Sequence, residues 1–273
     1  MRFWTFVALT TALAAQQIPA RNEAANWMNR GIEDYRHGQF EQAADAFEKA
    51  AELDPTNPNA SLYAGMACVM LYVPGSDFPD NIVYFERAKT EFKHTLDIIP
   101  NYGPALASLG KLIFQQAQGT KDPDDRLRLL DEAAGWYRKL EGTDPRNKES
   151  WYSLGAIAWM KCHPALVAAR SQLGMKADDP GPIPDAAVRQ KLKAKFGPLM
   201  EDGIAQLDGA VRLDPRYDEA MDYMNRLLRD RADLRESAAE FRQDIVEANQ
   251  WEQRLTETRK MTPPLVRSRG QRN

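Results

Sequence analysis

Two cysteines among 273 residues, Cys68 and Cys162, are too few for a disulfide-dense scaffold. Histidine is scarce as well: His37, His94 and His163 stand far apart, without the spacing of a metal-ligand set. Neither sign of charge dominates. The 36 Lys and Arg against 39 Asp and Glu leave a formal net charge of −3, which gives no strong field for nucleic acid or a membrane surface. A glycine-rich phosphate loop ahead of a helix is missing, as is a basic stripe interleaved with aromatics. Beyond the first residues, no run is apolar enough to span a bilayer. What the chain does have is 43% apolar side chains, enough for a sizeable core.

The N-terminus reads as a secretory signal. Arg2 is the positive start, Phe3 to Leu13 a short apolar run, and Ala12-Leu13-Ala14 a cleavage site. Residues 1–14 are then a signal peptide, the mature chain starts near Ala15, and the protein is exported to the periplasm or beyond. No cysteine follows the cleavage site, so a lipid-anchored start is not expected. After cleavage no membrane span remains, and a soluble product is expected. The other reading of the run is a buried N-terminal helix.

From there a pattern recurs. The first unit reads Trp27, Gly31, Ala43, Phe47, Ala50 and Pro55, with Gly38 and Phe40 at an internal turn. The second has Gly65, Ala88, Phe92 and Pro100. The third has Leu106, Leu109, Gly110, Ala133, Tyr137 and Pro145. The fourth has Trp151, Leu154, Gly155, Leu207, Ala210 and Pro215. A fifth begins at Asp218 with Met221 and Met224, but Asn225 stands in the glycine slot. Glycine and alanine let two helices approach, large side chains fill the space left over, and proline stops the second helix of each pair. Three of the four prolines follow an aspartate: Asp54, Asp144 and Asp214.

This grammar resembles the tetratricopeptide-repeat family over roughly residues 22–235. The resemblance implies an all-α fold, a right-handed α-solenoid of antiparallel helix pairs. Proline spacing departs from the plain unit of about 34 residues. Pro55 to Pro100 and Pro100 to Pro145 each span 45 residues, and Pro145 to Pro215 spans 70. The extra residues of the second and third units fall at Tyr72–Asp80 and Gln118–Asp125, with Asp80 and Asp122 as expected N-caps. The fourth unit carries an insert, 163–198. It is expected to hold a helix over Ala165–Leu173, a linker at Asp178–Pro184, a helix over Asp185–Phe196 and a stop at Gly197-Pro198. The cationic side chains Arg189, Lys191, Lys193 and Lys195 are either a solvated face or an anion- or partner-facing lip. Residues 236–261 read as a C-terminal capping helix, with Phe241, Ile245, Ala248, Trp251 and Leu255 on one stripe. Residues 262–273 read as a basic disordered tail.

In that family the first helix of each pair lines a concave groove. The slots carried over are Met28, Ile32, Tyr35 and Arg36; Leu62, Met66, Val69 and Met70; Ala107, Lys111, Phe114 and Gln115; Tyr152, Ala156, Trp159 and Met160. The fifth set, Asp222, Arg226, Arg229 and Asp230, turns polar. The carboxylate clamp of the family's co-chaperones is missing from the first two units, since Met28, Ile32 and Tyr63 occupy its positions. The expected function is a non-catalytic protein-protein interaction scaffold of the cell envelope, resembling exported bacterial members of unassigned activity. It would bind a partner peptide or helix of unknown identity in the apolar groove. The alternative is a structural, self-associating solenoid whose groove is filled by its own insert or by another copy, hence a homo-oligomer. No enzyme, cofactor or metal is expected. Cys162 and His163, adjacent on a helix, point about 100° apart. Cys68 and Cys162, on the second and fourth units with one whole repeat between them and on the order of 20 Å from each other, are expected as free thiols.

Overall fold

The computed structural model describes the backbone of residues 4–176, 179 and 181–261, with side chains from residue 19. The signal-peptide side chains and the basic tail expected at 262–273 lie outside the described residues. All the regular elements described are α-helices. Unit 1, residues 1–144, holds α1 (Trp4–Arg36), α2 (Phe40–Leu53), α3 (Pro58–Leu71), α4 (Pro79–Ile98), α5 (Gly103–Gly119) and α6 (Pro123–Thr143). Unit 2, residues 145–273, holds α7 (Lys148–Gln172), α8 (Ala186–Leu213), α9 (Asp218–Ala232) and α10 (Ala238–Met261). Within each unit neighbours in sequence pack as pairs, α1 on α2, α3 on α4, α5 on α6, α7 on α8 and α9 on α10.

The pairing follows from the glycine slots. A Cβ placed on Gly31 would come within 2.6 Å of the Phe47 ring, on Gly65 within 2.6 Å of Phe92, and on Gly155 within 2.3 Å of Leu207. Tyr137 sits 3.3 Å from the same point on Gly110. Phe47, Phe92, Tyr137 and Leu207 are all buried, so each ring or branched side chain fills the hollow a missing Cβ leaves. Trp151 lies over Gly209 in the reverse sense, from first helix to second. The fifth pair solves the problem differently. Asn225 donates from Nδ2 to the carbonyl oxygen of Ala248 on α10, 2.7 Å away, and buried Ala248 is the small residue.

Caps set the ends. The N–H groups of Asp54, Asp144 and Asp214 donate to Ala50, Leu140 and Ala210 before the prolines stop the chain. Asn57, Asp122, Asn147 and Asp185 each accept a backbone N–H in the first turn of the helix they precede. Ser237 and Glu240 exchange side-chain-to-backbone bonds as a capping box at the start of α10. Asp122 is thus the expected cap. Asp80 is not: Phe78 holds the N-cap position of α4, and Asp80 lies in its first turn.

The insert is not a separate pair of helices. α7 continues through Pro164, and α8 continues through Gly197 and Pro198. A proline within a helix costs about 3 kcal/mol. Here Pro164 is exposed while Cys162 and Leu166 beside it are buried. Pro198 likewise is exposed between buried Phe196 and Met200. Burying those side chains at roughly 1.5–3 kcal/mol each offsets the local penalty. The extra residues therefore lengthen one hairpin.

Candidate functional site

In unit 1 the aligned slots divide. Leu62 and Phe114 are buried and belong to the core, not to an open surface. Met28 packs against Ala50, Ala51 and Ala60. Tyr35 meets Phe40 edge-on at 5.1 Å, and Ile32 and Val69 are half-buried. Met66, Met70 and Lys111 are exposed. Met66 and Met70 are one turn apart and share a face of α3. α3 is apolar nearly all round, so pattern alone does not tell its outer face from its inner one.

In unit 2 the slots converge. Trp159 stacks on His163 at 4.4 Å and 23°, and meets Tyr223 edge-on at 5.5 Å. The Arg226 guanidinium lies 5.2 Å from the indole and 5.4 Å from the Tyr223 ring. Tyr152 packs on Tyr217 and Tyr223, and Met160 is half-buried. Of these, Trp159, His163 and Arg226 border a cleft of about 890 Å³, while Tyr152, Met160, Tyr217 and Tyr223 do not line it. Its walls are Trp159, His163 and Val167 from α7, Arg226, Arg229 and Asp230 from α9, and Phe241 and Ile245 from α10. Met175, Lys176 and Asp179, from the linker between α7 and α8, edge the opening. Within unit 2 the insert thus borders the cleft and does not fill it.

A histidine–carboxylate contact and an ion pair tie α7 to the end of α9 at this cleft. His163 Nδ1 lies 3.0 Å from Asp230, and Arg170 pairs with Asp233. Arg170 also donates to the carbonyl oxygens of Lys176 and Asp179, so it holds the linker down. Burial pushes the Asp230 carboxyl up, with His163 opposing. It pushes Asp233 up to about 6, with Arg170 opposing. The Trp159 indole N–H is shielded from solvent and has no acceptor among the described residues. Arg226 and Arg229 spend Nε and Nη2 on Asp222, Asn225, Asn249 and Glu252.

The groups that could do chemistry are turned inward. Cys162 is buried, and its thiol is pushed up to about 12 by desolvation. Its thiol donates to the Trp159 carbonyl oxygen, and the His163 ring nitrogen Nδ1 is engaged by Asp230. Cys68 is also free and buried, its thiol likewise raised to about 12 by burial. Ser61 lies 3.0 Å from His94 Nδ1, but it is 1% exposed and out of reach of a substrate. Among the described residues, no three His, Cys, Asp or Glu side chains are placed to hold a metal ion. No described helix is long and apolar enough to cross a membrane.

Sequence reasoning missed Arg170 and Asp233, and it assigned Phe241 and Ile245 wholly to end-capping. Asp230, near the end of α9, and Asp233, just beyond it, were the available signal, because two carboxylates three residues apart share a face and need partners where they are buried.

Residues 24–57 match the tetratricopeptide repeat family. No curated protein sequence matches the chain. Solved structures do. MamA (residues 41 to the end) from Desulfovibrio magneticus RS-1 aligns at 16% identity and a TM-score of 0.55, over 88% of this chain and 97% of that one. Another MamA crystal structure aligns at 13% identity and a TM-score of 0.54, over 87% and 92%. At these identities the likeness is one of fold.

Proposed function

We propose that this tetratricopeptide-repeat protein, a protein-interaction scaffold, works in the cell envelope and grips a partner's peptide or helix in the cleft bordered by α7, α9 and α10. The observation that carries this is the cleft itself. Apolar Val167, Phe241 and Ile245 line a space of about 890 Å³, a size suited to several side chains of a bound segment. Arg226, whose guanidinium lies 5.2 Å from the Trp159 indole, and Arg229 both line the cleft and carry the positive charge a carboxylate or carbonyl oxygen of that segment would meet. The raised acids of the cleft, Asp230 and Asp233, are engaged by His163 and Arg170, which supports a binding and non-catalytic role. The envelope location rests on the apolar run and Ala-Leu-Ala site at the N-terminus. Mass measurement of protein recovered from the periplasmic fraction should show a chain starting near Ala15, and a full-length cytoplasmic product would reject the export reading.

Binding is tested by placing a photo-crosslinking amino acid at Val167, which is exposed on the rim, and probing envelope extract. One adduct is expected, and Ile245→Asp should abolish it while helical circular dichroism is retained. An adduct that survives Ile245→Asp, or no adduct at all, would remove the cleft as the binding site.

A further inference from the structure

The cleft of unit 2 sorts its charges by depth. Its acids are withdrawn. Asp230 and Asp233 are buried and engaged by His163 and Arg170. Asp179, half-buried in the linker, accepts the Lys176 backbone N–H at 2.7 Å. Its cations are open to solvent. Lys176 is exposed at the edge of the opening, and the Arg226 and Arg229 side chains are 45% and 42% exposed. The same cleft is lined by exposed Val167 and half-buried Phe241 and Ile245. What meets a visitor is therefore apolar and cationic.

The partners of the two arginines on their own chain do not lock them. Arg226 pairs with Asp222 one turn back on α9, and Arg229 with exposed Glu252 on α10. Arg229 also donates to the neutral amides of Asn225 and Asn249. Surface pairs of this kind contribute little, so exchanging or sharing them with an incoming carboxylate gives up little. A guanidinium has five N–H donors and can serve two carboxylates at once. Arg226 and Arg229 stand one turn apart, with Cβ atoms about 5–6 Å from each other. Carboxylates one turn apart on a second helix have the same spacing.

We propose that the cleft takes an acidic amphipathic helix, whose apolar side chains meet Val167, Phe241 and Ile245 and whose Asp or Glu side chains meet Arg226, Arg229 and Lys176. The proposal rests on the cleft being the binding site and adds the charge of what enters it. The field of the whole chain works the other way. A net charge of −3 favours a cationic visitor at long range, so a preference for an anionic one has to come from these three side chains.

The test uses two synthetic peptides of about 18 residues, with the same leucine stripe and capped ends. One carries Glu and Gln on its flanks, the other Lys and Gln. Each is titrated with the mature chain to about 200 μM and followed by fluorescence anisotropy. The acidic peptide should bind at least about tenfold more tightly than its basic twin at low salt, and the gap should narrow at about 0.5 M salt. Arg226→Gln combined with Arg229→Gln should erase the preference, and Lys176→Gln should reduce it severalfold. Helical circular dichroism should be retained in both, because the replaced side chains are solvent-exposed. Ile245→Asp should abolish binding of the acidic peptide. Equal binding of the two peptides, a preference for the basic one, an acidic preference that survives loss of both arginines, or no binding of either would overturn the proposal. The Val167 crosslink separates this failure from failure of the cleft: an adduct lost in Ile245→Asp, alongside equal binding of the two peptides, keeps the cleft and rejects the acidic partner.

Discussion

At the scale of single residues, the geometry ranks the glycine slots. Replacing glycine by alanine inside a helix gains about 1 kcal/mol of propensity. At Gly110 the added methyl meets Tyr137 at 3.3 Å, a contact that a small shift relieves. At Gly65 it meets the fully buried Phe92 ring at 2.6 Å, and overpacking costs typically 1–3 kcal/mol. Gly110→Ala should therefore change urea-unfolding stability by less than about 1 kcal/mol. Gly65→Ala should lose stability on balance, by up to about 2 kcal/mol. Equal losses at the two positions would show that the ring does not decide the fit.

At the scale of elements, α7 and α8 carry the departures from a plain repeat. Pro164 removes a backbone hydrogen bond from α7 and survives because Cys162 and Leu166 beside it are buried. Pro164→Ala restores the N–H without disturbing a packed side chain, because Pro164 is exposed. It should raise the melting temperature, corresponding to a gain of about 1–3 kcal/mol. No gain would mean that the proline imposes no penalty where it stands. The linker between the two helices gains its place from Arg170, Asp233 and the bond from Ile183 N to Asp233 O, not from periodicity of its own.

At the scale of the whole molecule, pH acts through the acids at the cleft. A net charge of −3 adds little self-repulsion. Asp233, raised by burial to about 6, binds its proton more tightly folded than unfolded, where a carboxyl titrates near 4. Its contribution to stability is fully present below about pH 4 and falls as pH rises through about 6. Asp230, raised in the same direction, adds to the trend. Asp233→Asn cannot titrate, so the variant should gain on the parent by up to about 2 kcal/mol between pH 4 and pH 7. Thermal melts of both proteins across that range check the sign. A parent that gains on the variant instead would mean that the pair with Arg170 outweighs desolvation.

The helix pairs and their stops could be read from the residues alone, because a glycine opposite a ring and an Asp-Pro stop are local rules that hold wherever the chain folds. Gly31 with Phe47 and Gly65 with Phe92 met as their spacing implied. Tertiary structure alone decided that Leu62 and Phe114 are core, that α7 and α8 run on through their prolines, and that Arg170 of α7 meets Asp233 at the end of α9. The physical reason is common to all three. Which face of an apolar helix meets water, whether burial outweighs a proline, and which charges share a desolvated space depend on residues distant in sequence.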